Sequence, residues 1–294
     1  MRIGKGTGRA ARWLLAAVMA FSASVAMAQI AGTKHNLGST GTAGNNKVTG
    51  SGATGTAEIC VFCHTPHAAD VSTVGLPLWN KALPATGSYT VYSSSTMDAS
   101  RANDGVTGAT SIGSVSLACL SCHDGTQAMD NVLNAPGSGG YDATGGGTNG
   151  LGWTWAATAR IDANGKMLNA GDSLSMLGTD LTNDHPIGMQ FCGGGYTTAA
   201  AGSSAGAGDC VDRDFFAPTS ALIGGQRVFW VDSGTAAATR DKADMILYNR
   251  DFANGTTGPS VECASCHDPH NAANGTFLRK TNAGSAVCLA CHNK

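Results

Sequence analysis

Charge is scarce in this chain. Of its 294 residues only 13% are Asp, Glu, Lys or Arg, and aromatic residues make up 6%. With 41 glycines and abundant Ser, Thr and Ala, helix preference is weak and amphipathic runs are few. Side chains alone make a thin core. Past residue 28 no stretch is long and apolar enough to span a bilayer. Basic residues become scarcer still once Arg2, Lys5, Arg9 and Arg12 are set aside with the first 28 residues: 18 − 4 leaves 14 Lys and Arg against 20 Asp and Glu, a net of −6. An acidic particle is a poor partner for nucleic acid. The Gly-rich stretches also lack the strand-and-helix context of a phosphate-binding loop, and nothing resembles an active site.

The first 28 residues have the layout of an export signal. The four basic residues precede an apolar stretch from Trp13 to Ala26, and Ala26-Met27-Ala28 offers a small-residue cleavage site before Gln29. No cysteine follows that site, which excludes a lipoprotein signal. Export places the remaining chain where disulfides persist.

What the chain does have is cysteine and histidine in one recurring arrangement. Cys60-Val61-Phe62-Cys63-His64, Cys119-Leu120-Ser121-Cys122-His123, Cys263-Ala264-Ser265-Cys266-His267 and Cys288-Leu289-Ala290-Cys291-His292 are four C-x-x-C-H motifs. A lone C-x-x-C could bind zinc or carry redox chemistry. C-x-x-C-H reads as a c-type haem attachment, with two thioethers to the porphyrin and one axial histidine. Four covalently bound haems are expected, with His64, His123, His267 and His292 as proximal ligands. Eight histidines less these four leave His35, His67, His185 and His270. His67 and His270 trail their motifs by three residues, too close to pass round the macrocycle to the same iron, so each must face another haem, or nothing. Four spare imidazoles and four irons match without remainder, although one of the nine methionines could take a spare's place.

Eight of the ten cysteines are thereby engaged. Cys192 and Cys210 flank a Gly/Ala/Ser-rich loop, and a disulfide between them is expected to contribute on the order of 3 kcal/mol in the chain-entropy model. Two free thiols are the alternative. The motif context also repeats: residues 58–67 match 261–270, and 117–123 resemble 286–292. This suggests two haem pairs and the organisation 1–28 signal, 29–125 N-terminal arm and first pair, 126–262 haem-free insert with β-structure, distal histidine and disulfide, and 263–294 second pair. The expected fold is mostly coil wrapped around four covalent haems, with short helices at the C-x-x-C-H motifs and a few short strands. Strands are expected at 88–92, 227–231 and 245–248, the last two as an antiparallel pair. An extended arm from Gln29 to Gly55 carries His35, and the Leu and Trp of 75–80 suit a porphyrin face.

Further residues carry a likeness. Beside the His-Thr-Pro-His and His-Asp-Pro-His runs stand Pro-Leu-Trp-Asn-Lys at 77–81, the 89–96 segment, Cys-Leu-Ser-Cys-His-Asp-Gly at 119–125 and Asn-Asp-His-Pro-Ile at 183–187. Together they resemble the doubled-CXXCH multihaem cytochromes, and more narrowly the OmcE-like tetrahaem cytochromes of metal-reducing bacteria. That resemblance implies extracellular filaments with a continuous haem chain, bis-histidine ligation throughout, and one axial histidine supplied by the adjacent subunit. His67 and His35, each close to one motif or chain end, are the candidate donors. Ligands on both faces leave no iron position for substrate, so electron transfer rather than catalysis is expected, to other redox proteins or extracellular acceptors. A soluble periplasmic shuttle is the first alternative and a multihaem reductase the second.

Overall fold

The computed structural model describes residues 29–70, 76–100, 112–137, 139–170, 174–195, 210–223, 225–233 and 240–293. The expected leader, residues 1–28, lies outside them. Turns and irregular chain dominate, with two α-helices and seven short strands among the described residues. None of the helices is long and apolar enough to cross a membrane.

Helix α1 spans Ser114–His123 and carries the second attachment motif. It is enclosed on nearly all sides, with Val115, Ser116, Leu117, Ala118, Leu120 and Ser121 buried, which stabilises it although no side chain caps it. Helix α2 is the third motif itself, Cys263–Cys266. A helix at every motif was expected, and two are missing. The first motif winds as a 3-10 turn over Cys60–Phe62, and the fourth is a succession of turns preceded by Gly284 at φ 61°, a left-handed residue that ends helical continuity.

Strand β1 (Thr90–Val91) pairs in parallel with β2 (Asp180–Leu181). The main sheet comprises β3 (Met189–Gln190), β4 (Thr219–Ile223), β5 (Gln226–Val231), β6 (Met245–Asp251) and β7 (Thr257–Val261), in the order β3-β7-β6-β5-β4 and antiparallel throughout. The expected pair of strands is its centre, with Phe229 opposite Leu247 and Trp230 opposite Ile246. Phe229, Trp230 and Val231 are consecutively buried, so β5 is covered on both faces. In β6 only alternate residues, Met245 and Leu247, are fully buried.

The core is divided. One cluster joins Val48, Phe62, Trp153, Trp155, Ile161 and Met167 around the first motif. The N-terminal segment is therefore no extended arm: Val48 is completely buried, and the backbone of Thr49 donates to Thr154 while Ala156 donates to Lys47. Lys81 is buried beside this cluster, its ammonium donating to the carbonyls of Ala128, Met129 and Asn131 at 3.1–3.2 Å. A second cluster lines the sheet with Phe191, Phe229, Val231, Met245 and Leu247, takes in the Cys192–Cys210 disulfide, and packs against Cys266 and Cys291. The pairing of Cys192 with Cys210, across a Cα–Cα distance of 5.4 Å, was the expected one. A third, smaller cluster sets Ile112, Leu117 and Leu120 of the α1 region against Leu181.

Candidate haem sites

In three motifs the backbone N–H of the histidine returns to the carbonyl of the first cysteine, four residues earlier: His64 to Cys60 at 2.7 Å, His267 to Cys263 at 3.1 Å and His292 to Cys288 at 3.0 Å. The second motif lies in the regular helix α1. One helical turn therefore carries two thiols and an imidazole, whichever formal class the turn belongs to.

Three of the four proximal histidines are crossed by a short strap of chain. His64 Nδ1 lies 2.8 Å from the Pro77 carbonyl, His123 Nδ1 2.6 Å from that of Ser175, and His267 Nδ1 2.8 Å from that of Thr276. A carbonyl only accepts, so each ring carries its proton on Nδ1 and turns Nε2 outward as a ligand. His292 is covered instead by Phe215, whose ring centre lies 4.4 Å away, while Phe216 and Asn293 pair with Cys291 and Asp214. Backbone oxygens do the orienting, so no side-chain signature marks Pro77, Ser175 or Thr276 in the sequence. Trp79, expected at a porphyrin face, is buried edge-on to His64 at 5.8 Å.

The spare histidines sort themselves by what they face. His270 lies with its ring centre 6.2 Å from that of His64, the planes 18° apart. His35 stands 6.2 Å from His123 at 66°. Two metal–nitrogen bonds of about 2 Å plus the half-widths of two five-membered rings come to about 6 Å, so both spacings fit imidazoles sharing one iron. His35 is also held to be neutral: burial, then the neighbouring His123, lowers its pKa to about 4, and the neutral ring is the ligand form. His35 Nδ1 sits 3.4 Å from the Pro269 carbonyl, and its ring stacks on Phe277 at 4.2 Å. His185 is exposed but within electrostatic range of His292. His67 is exposed, and among the described residues no imidazole ring faces it. His267 is exposed and lies within electrostatic range of His35 and His123, with no ring stacked on it among the described residues.

The second and third motifs are locked together. The Ser116 hydroxyl of α1 donates to Glu262 at 2.5 Å and accepts from the Cys263 N–H at 3.0 Å. Glu262, 1% exposed, also accepts from Arg250 at 2.9 Å. A Cβ on Gly113 would strike both Arg250 and Glu262. Across this joint the Cys119 and Cys263 thiols meet in a hydrogen bond, while Cys63 interacts with Cys122, and Cys266 with Cys288. The thiols thus run in chain order from the first motif to the fourth.

Residues 257–294 match the doubled CXXCH motif family. Those residues hold the third and fourth motifs, and over that segment the match supports haem attachment and electron transfer. No curated protein matches the chain. Two thiols and an imidazole are what covalent haem attachment uses, and at the first and second motifs a facing imidazole also stands at ligand separation, so these residues fit the group.

Proposed function

We propose that this chain is an OmcE-like tetrahaem cytochrome, exported from the cell, which polymerises into an extracellular filament that conducts electrons. Cys60 and Cys63, Cys119 and Cys122, Cys263 and Cys266, and Cys288 and Cys291 hold four haems. His64 pairs with His270, His123 with His35, and His292 with His185. The observation that carries the reading is the remainder. His267 and His67 are left over, and a neighbouring copy whose His67 reaches this chain's His267 site completes the fourth pair. His35, the other candidate for that bridge, already has a partner in its own chain. The haem iron supplies the reversible one-electron change. The chain's cysteines and histidines would hold the haems, backbone carbonyls orient His64, His123 and His267, and the four attachment points run in chain order.

Carbon monoxide tests this, because it binds iron only where a ligand is absent or displaceable. Dilute monomer is expected to bind one equivalent per chain, and polymer none. Monomer that binds none and never associates supports a periplasmic shuttle, and one that binds several supports a reductase. Either result overturns the filament.

A further inference from the structure

The first and third motifs are built alike well beyond their cysteines. In the first, His64 Nδ1 meets the Pro77 carbonyl, Thr65 N–H donates to Leu78, and Asn80 N–H to Cys63. In the third, His267 Nδ1 meets Thr276, Asp268 N–H donates to Phe277, and Arg279 N–H to Cys266. Leu78 and Phe277 share a left-handed backbone, at φ 55° and 59°. The next strap residue repeats a side-chain bond as well: Asn80 Nδ2 donates to Val61 at 2.7 Å and Arg279 Nε to Ala264 at 3.0 Å, both to the residue after the first cysteine. The third strap is used. Its trailing His270 faces His64, its Pro269 carbonyl meets His35 Nδ1, and its Phe277 stacks on the His35 ring.

The corresponding residues of the first strap are Pro66, His67 and Leu78, and all three are exposed, Leu78 by 52%. The surface that receives the third strap consists of His64 and His35. The corresponding pair one step along is His267 and His185, both exposed.

We infer that subunits join by repeating this internal contact, so that Leu78 of one copy seats on the ring of His185 of the next as Phe277 seats on His35; His185 Nδ1, 3.1 Å from its own Pro186 carbonyl, is already oriented within its chain. The occupant is a second copy of this chain, because only it carries the matching strap. The contact is head-to-tail and does not close on itself, so it propagates as a fibre. The proposal rests on the filament reading and adds to it the residues on either side of the His67 bridge.

The test introduces p-benzoylphenylalanine at Leu78 and irradiates assembled filaments, with four haems per chain verified first. The expected cross-link joins position 78 to the peptide containing His185 of another copy. Leu78→Phe, which copies the internal join, should lower the critical concentration for assembly about two- to tenfold, the worth of one aromatic pair. Leu78→Asp, which buries a charge, should raise it more than about tenfold. Filaments whose cross-link maps elsewhere, with assembly indifferent to Leu78→Asp, overturn this interface and leave the filament standing. Protein that stays monomeric with all irons six-coordinate overturns both.

Discussion

The first and third attachment motifs use the same turn, the same strap and the same hydrogen bonds, yet one presents its trailing histidine to solvent and the other to an imidazole of its own chain. Local construction is therefore not what separates them. The difference lies in what stands opposite: His64 faces His270, and among the described residues no imidazole faces His67. On the filament reading, the unit that repeats inside the molecule would carry its own joining surface, one copy of it used within the chain and one spare.

The sharpest way to break this comparison is to remove each trailing histidine in turn. His270→Ala should open one carbon monoxide site per chain at every protein concentration. His67→Ala should give the same site only because assembly fails, with no filaments by electron microscopy. Identical behaviour of the two variants in both assays would erase the distinction between the straps.

Next in size is the pair of lysines that end the two straps. Lys81 is buried with three carbonyls and Asp130 around it, whereas Lys280 makes one bond, 3.1 Å to Ser233. Lys81→Met should cost about 3–5 kcal/mol in denaturant unfolding, because it strands a buried carboxyl group and three carbonyls. Lys280→Met should cost about 1 kcal/mol. Paired Cys192→Ser and Cys210→Ser should cost about 3 kcal/mol and raise amide exchange first in the sheet beside the third and fourth motifs. Gly113→Ala should cost about 1–3 kcal/mol from overpacking against Arg250 and Glu262, seen as a lower melting temperature with haem content unchanged.

Much of the site could be read before any coordinates. C-x-x-C-H is a covalent requirement, so its residues cannot be disguised, and the cysteines left over pointed to the disulfide. The hairpin at the centre of the sheet was legible because Val228–Val231 and Met245–Tyr248 carry branched and aromatic side chains in short runs. The pairing of imidazoles was not legible, since His64 and His270 lie more than 200 residues apart and nothing local links them. Nor were the straps, which act through carbonyl groups that every residue type possesses. The packing of Val48 against the Trp153 and Trp155 cluster escaped for a related reason: one valine in a polar stretch gives no periodicity to detect.

One detail of the facing rings reaches further than their spacing. The planes of His64 and His270 are close to parallel, and those of His35 and His123 are steeply crossed. In low-spin ferric iron, aligned imidazoles split the d orbitals that point between the ligands, while crossed ones leave two of them nearly degenerate. With haem held at both, the two centres would differ in magnetic anisotropy despite identical ligand atoms, a rhombic resonance being expected from one and a single strongly shifted feature from the other at low temperature. Each can be followed separately as electrons enter the molecule.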